Sequence, residues 1–288
     1  MNRTAVVAFC GFFSLLFAVS HVLLAEQGGG NRRGAGSSCT YNWIASAKHI
    51  YFNTDSDWAT NTIPDDECTT SCTAQALGQS TNINESDLST TGLPSGTASG
   101  RVMLPLNASG DAAFTTARIF QAADHGDWAF CMWARATNSV FDDFGGHEFV
   151  NNSIFAYGDV PNGSVGLYTT NESSGDLTTG TGKIAQNTWA HICWTVDNNG
   201  SLGGTDVRRI IVNGVQEATD NSVDDTLTAG TDSGFRNTTS TSIQYEVHEG
   251  VFLHQAITAN NACQIMSCGV DDSATFATRR STYGACTL

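Results

Sequence analysis

Asp127-Trp128-Ala129-Phe130-Cys131-Met132-Trp133-Ala134-Arg135 and Asn187-Thr188-Trp189-Ala190-His191-Ile192-Cys193-Trp194-Thr195-Val196-Asp197 are two tryptophan-bracketed runs, each with a cysteine near its middle. In the second run Trp189, Ile192, Trp194 and Val196 mix period-two spacing with nearly continuous apolar character, which predicts a strand in the middle of a two-layer sandwich. Asp197-Asn198-Asn199-Gly200 follows as a turn signal. Arg208-Arg209-Ile210-Ile211-Val212 then reads as a further strand, and Asn213-Gly214 is the strongest short hairpin signal in the chain.

Working outward, short runs of β-branched and aromatic residues recur between Gly, Asn, Asp and Ser turns from about residue 99 onward. Strands are expected over 101–106, 128–136, 153–157, 164–169, 189–196, 207–213, 241–246 and 248–254. Thr258 is a good N-cap for a short helix over 259–266. No internal repeat, heptad run or long amphipathic helix is present. The fold class is therefore all-β, a two-sheet antiparallel sandwich.

The chain has 288 residues and a formal charge of -15, with only 14% charged residues. Such a surface repels phosphate backbones, so nucleic acid is not an expected partner, and it disfavours anionic membranes. It is compatible with cation binding and high solubility.

Arg3 followed by the largely apolar run Ala5 to Leu24 reads as a secretory signal over residues 1–25, cleaved after Ser20 or Ala25. The rival is an uncleaved anchor, since the run is nearly long enough to span a bilayer. On the signal reading the protein is secreted and holds no membrane once the signal is gone. Residues 26–38 are Gly- and Arg-rich and read as a linker. Residues 39–97 form a cysteine-containing segment with too few apolar residues for its own core, expected to pack on the main domain over 98–288 as an N-terminal extension tethered by disulfides.

Of nine cysteines, Cys10 leaves with the signal. Cys39, Cys68, Cys72, Cys131, Cys193, Cys263, Cys268 and Cys286 remain, and an even set behind a signal argues for disulfides. Zinc is the rival for Cys68/Cys72 and Cys263/Cys268, but neither pair has knuckle spacing or a histidine in finger register. Sequons for N-glycosylation occur at Asn84, Asn107, Asn151, Asn162, Asn171, Asn199 and Asn237; in a chain so rich in Asn, Ser and Thr several arise by chance.

The strand from Trp189 to Val196, the turn, and Ile210-Ile211-Val212-Asn213-Gly214-Val215 resemble the laminin-G-like and pentraxin-like jelly rolls of the concanavalin A-like lectin/glucanase superfamily. Glu249-Gly250-Val251-Phe252-Leu253-His254-Gln255-Ala256-Ile257-Thr258 is similar to that family's closing strand and the start of its terminal helix. The resemblance covers about residues 98–270. It implies a jelly-roll topology and a disulfide between Cys131 and Cys193, and leaves the pairing of the other six cysteines open. It also implies calcium. However, Gly230-Thr231-Asp232-Ser233-Gly234 offers one carboxylate where calcium takes about six to eight oxygen ligands. Asp142 and Asp143 with Glu148, or Asp224 and Asp225, are the other candidate ligands, each read first as a solvated acidic loop.

Catalytic patterns are weak. Retaining glycoside hydrolysis needs two carboxylates about 5 Å apart. The nearest candidate, Glu246-Val247-His248-Glu249, spaces them by three, which in a regular strand sends them to opposite faces. No zinc-protease helix, nucleophile elbow or phosphate loop is present. Trp128, Trp133, Trp189 and Trp194 read as core rather than as ligand platforms. The expected function is non-enzymatic: extracellular recognition or adhesion, for which the resemblance implies glycans or extracellular-matrix and cell-surface components as partners and Ca2+ as the candidate cofactor. The alternative is a structural subunit of an extracellular filament, sheath or coat that contacts copies of itself, and the weaker alternative is a glycoside hydrolase on the same scaffold.

Overall fold

The computed structural model of the chain describes residues 48–53, 62–63, 76–79, 85–104, 112–115, 127–137, 154–159, 162–169, 176–203, 207–221, 233–236, 245–269 and 279–283. In chain order the strands are β1 (Lys48–Tyr51), β2 (Thr62–Ile63), β3 (Leu77–Gln79), β4 (Leu88–Ser89), β5 (Val102–Met103), β6 (Ala112–Thr115), β7 (Asp127–Ala136) and β8 (Ile154–Asp159). They continue with β9 (Ser164–Thr169), β10 (Leu177–Thr178), β11 (Ala190–Asp197), β12 (Val207–Val212), β13 (Val215–Asp220), β14 (Ser233–Arg236) and β15 (Tyr245–Leu253). Two helices close the described chain, α1 (Ala259–Cys268) and α2 (Arg279–Tyr283).

The fold is an antiparallel β sandwich. An eight-stranded sheet runs β13-β12-β11-β7-β15-β5-β4, with β1 paired to β15. A three-stranded sheet, β10-β9-β8, and a four-stranded one, β14-β6-β3-β2, accompany it. The cysteine-bearing stretch 39–97 contributes β1 and β4 to the large sheet.

The two tryptophan-bracketed runs are neighbouring central strands, with Cys131 opposite Cys193 and Trp128 opposite Val196. Their continuous apolar character has a simple cause: both faces of the large sheet are covered. On one face Trp128, Phe130 and Met132 join Trp194, Val196, Phe252, Val165, Leu167 and Leu177 in the main core. Phe130 stacks on Trp194 at 5.5 Å and on Phe252 at 4.4 Å between ring centroids. The buried Trp194 indole satisfies its N–H across the layers by donating to the Gly166 carbonyl at 2.9 Å. On the other face Ala129, Cys131, Cys193, Ile211 and Val251 form a second cluster with Ile257, Ala262 and Ile265 around α1.

The predicted helix begins where expected. Thr258 Oγ1 accepts from the Asn261 backbone N–H, and the Asn261 side chain accepts in return from the Thr258 N–H, a complete capping box. The Asn213-Gly214 hairpin is also present, with both residues in the left-handed region (φ 50° and 77°), as a tight primed turn demands. One expectation is corrected: no break between strands falls at Val247, which pairs with Ala134 inside a strand. A single strand, β15, pairs with β7 and carries a bulge between His248 and Val251.

Candidate functional site

The edge hairpin β12–β13 carries a concave site. Alternation along β12 sends Ile210 and Val212 into the main core, leaving Ile211 on the α1 side. Val207 and Arg209 share the Ile211 face by strand alternation. On β13 the register shifts between Ile210 and Ile211, so Gln216 opposes Ile211 while Thr219 opposes Arg209. Gln216 and Thr219 are three apart and would face opposite sides of a regular strand. The extra residue of the bulge, Glu217, puts them on the same side and is itself ion-paired to Lys183 at 2.6 Å.

Val207, Arg209, Gln216 and Thr219, together with Leu202, Gly203 and Asn221, line an open cavity of about 450 Å³, a volume in the range of small-ligand sites. Asp197, buried at the end of β11, shapes one wall: it accepts from Ser201 Oγ at 3.1 Å and from the Leu202 N–H at 3.0 Å. The Arg209 Nη1 lies 3.8 Å from the Asp197 carboxylate, too far for a hydrogen bond, and this buried nitrogen has no hydrogen-bond partner. Arg209 is the one charged residue of the lining; Gln216, Asn221 and Thr219 supply amides and a hydroxyl. Such a surface can donate and accept hydrogen bonds. It holds no nucleophile beside a base and no carboxylate to take a metal ion.

A second polar centre is buried. Arg279 on α2 is ion-paired to Glu249, donates from Nη2 to His248 Nε2 at 2.8 Å and from Nε to Thr97 Oγ1 at 2.7 Å, and lies 5.5 Å from the Trp133 ring centroid. His248 Nδ1 sits 2.7 Å from the Arg101 carbonyl; a carbonyl only accepts, so Nδ1 carries the proton and Nε2 the lone pair. Burial, and secondarily the Arg279 charge, lowers His248 to about 3, and the same two causes lower His191 to about 3. Burial raises the Tyr283 phenol above its usual range. Both imidazoles are therefore neutral at ordinary pH.

Cys131 and Cys193 are joined by a disulfide, with their Cα atoms 4.1 Å apart. Cys263 and Cys268 are each half of a disulfide; Cys39, Cys68, Cys72 and Cys286 lie outside the described residues. Cys131, His191 and Cys193 form the one grouping of metal-ligating residue types whose donor atoms lie within 4.8 Å of one another, among the described residues. As a disulfide its sulfurs offer no thiolate, and a sulfur–imidazole set does not suit calcium, which takes hard oxygen donors. Asp142, Asp143, Glu148, Asp224, Asp225 and Asp232 lie outside the described residues. So do Asn84, Asn107, Asn151, Asn171 and Asn237, while Asn162 and Asn199 are described and exposed.

The expectation that Glu246 and Glu249 face opposite sides is corrected. Glu249 sits in the bulge at φ 49°, which turns its carboxylate to Arg279 beside His248, while Glu246 is ion-paired to Arg135. Trp189 is likewise not core: Trp128, Trp133 and Trp194 are buried, but Trp189 is half-buried. Sequence reasoning missed Arg209, Gln216 and Thr219. The available signal was Arg208-Arg209, two cations inside an otherwise apolar strand. Arg208 turns to Asp220 at 2.9 Å, and Arg209 turns to the cavity.

No family model matches the chain, and no curated protein matches it. Solved structures do. The botulinum neurotoxin serotype G binding domain is 10% identical, with a TM-score of 0.50, over 77% of this chain and 50% of that one. The binding domain of botulinum neurotoxin DC in complex with SialylT is 13% identical, with a TM-score of 0.50, over 75% of this chain and 50% of that one. A heptameric SAP-like pentraxin from Limulus polyphemus is 15% identical over 51% of this chain and 72% of that one, at a TM-score of only 0.41. The chain spans about half the length of the neurotoxin structures, and at these identities the likeness shows a shared sandwich fold alone. No helix among the described residues is long and apolar enough to cross a membrane.

Proposed function

We propose that the protein is a secreted, non-catalytic recognition or adhesion protein of the laminin-G-like and pentraxin-like class, and that its sandwich binds glycans in the Arg209 cavity. The cavity lining carries this reading: one cation, two amides and a hydroxyl over a floor that includes Leu202 and Val207. Sugars present closely spaced hydroxyls above apolar C–H patches, and this mixture of groups matches them. Support from the fold comes from the neurotoxin binding domain solved with SialylT.

The test is a glycan array followed by titration of the best hit against wild type and Arg209→Ala. The expected result is selective glycan binding that weakens about tenfold or more in the variant, the effect of losing a charge-assisted hydrogen bond. A blank array, or equal affinity in both proteins, overturns it. A calcium-dependent mode would rest on Asp142, Asp143, Glu148 and Asp232, and a chelator separates the two: binding in the Arg209 cavity survives it.

The structural-subunit reading has one observation in its favour. Among the described residues β13 ends the large sheet on one side, as β4 does on the other, and Val215 on β13 is 55% exposed; an uncovered edge can template pairing with another copy. Regular polymers of the purified protein together with a blank array favour that reading.

A further inference from the structure

We propose that Arg135, clamped against Trp189, is a second binding site that takes the anionic group of an acidic sugar. It lies before the start of β11, whereas the Arg209 cavity lies beside its far end, and it shares with the cavity reading only the ligand class.

The geometry is built from four segments. Pairing of Ala190 with Ala134 brings Trp189, just ahead of β11, beside Arg135 on β7. The guanidinium carbon lies 4.8 Å from the Trp189 ring centroid, a cation–π contact. On the other side Glu246 stands opposite Arg135 across the β7–β15 ladder and takes the Nε–H. The Trp189 ring is itself fixed, because its Nε1–H donates to the Gly92 carbonyl at 2.9 Å. The turn that presents this carbonyl is held by Ser89, whose Oγ accepts from the Thr91 N–H at 3.1 Å. Gly92 has φ +79°, and a Cβ there would stand 3.2 Å from Arg135 Nη2. A side chain at this position would crowd the guanidinium.

This leaves a planar cation whose orientation is set by ring, carboxylate and turn while its outer edge stays open. The Arg135 side chain is 25% exposed. Glu246 engages Nε, and among the described residues no acceptor engages either Nη nitrogen. Two parallel N–H donors on a pre-oriented guanidinium are the geometry that carboxylate or sulfate oxygens match bidentately. Thr91, next to Gly92, and Asn187, two residues before Trp189, are both exposed. The net charge of -15 selects against polyanions, so the ligand is an isolated acidic residue on an otherwise neutral glycan rather than a densely sulfated polymer.

The test titrates wild type, Arg135→Gln and Arg209→Ala with N-acetylneuraminic acid, glucuronic acid, a sulfated galactose and plain galactose, followed by NMR chemical shifts. Wild type is expected to bind at least one acidic sugar better than galactose. The carboxylates against the sulfate tell which anion fits the fork. Arg135→Gln should weaken that binding about tenfold or more, while Arg209→Ala retains the preference for the acidic sugar. Arg135→Lys serves if the glutamine variant fails to fold; it keeps the charge, loses the fork, and should still lose several-fold. Equal binding of acidic and neutral sugars by wild type, or undiminished binding in either Arg135 variant, overturns the proposal. Loss confined to Arg209→Ala moves the acidic-sugar site to the cavity.

Discussion

Gly214 shows at the scale of one residue what the hairpin signal did and did not reveal. Asn-Gly is legible as a primed turn because glycine adopts positive φ without steric cost. What stands behind the turn is not legible, because Cys263 on α1 is distant in sequence. A Cβ on Gly214 would lie 2.8 Å from the Cys263 Cβ. We expect Gly214→Ala to lower stability by about 2–3 kcal/mol, combining backbone strain with overpacking. Gly182 is the control: it has φ +76° but nothing within 4 Å of a built Cβ, so Gly182→Ala should cost only the backbone part, about 1 kcal/mol. Urea midpoints of the two variants test this, and equal losses would show that the Cys263 contact carries no weight.

At the scale of elements, the sheet and its first helix were readable and the bulges were not. β11 announced itself through tryptophans, apolar continuity and a following Asn-Asn-Gly turn. α1 announced itself through its Thr258 cap. The β15 bulge left no trace, since nothing about a lone glutamate marks it for the left-handed region. The β13 bulge was equally silent, and with it went the side-by-side placement of Gln216 and Thr219 that forms the candidate site. The β15 bulge has an identifiable anchor in α2: Arg279 is fully buried and ion-paired to the nearly fully buried Glu249. Removing one member of such a pair strands a charge away from water. Arg279→Met should therefore cost about 3–5 kcal/mol, and the double variant Arg279→Met with Glu249→Gln should recover a substantial part. Denaturant unfolding of the two single variants and the double completes the cycle. Additive losses would mean that the pair does not hold α2 to the bulge.

For the whole molecule, the two-layer design was legible because burial on both faces of the large sheet imposes unbroken apolar runs. The ligand chemistry was not, because Arg135 and Arg209 acquire meaning only through neighbours brought in by pairing. The same burial gives the molecule a pH dependence. His191 and His248 are held at about 3 by burial and by Arg279, whereas an unfolded histidine titrates near about 6.5. Above that value both states are neutral and the imidazoles are without effect. As pH falls below it, the unfolded chain takes up protons that the folded protein refuses, so stability declines toward the folded value. Each histidine contributes a slope of up to about 1.4 kcal/mol per pH unit in this window. Carboxylates titrate over the lower part of the range, so the histidine share is isolated by comparison. His248→Gln offers Arg279 an acceptor without a proton-binding site. Its denaturant stability, measured between neutral pH and the onset of acid unfolding, should fall less steeply than wild type by about one proton's worth. Parallel curves for the two proteins would show that His248 is protonated as readily in the folded state as in the unfolded one.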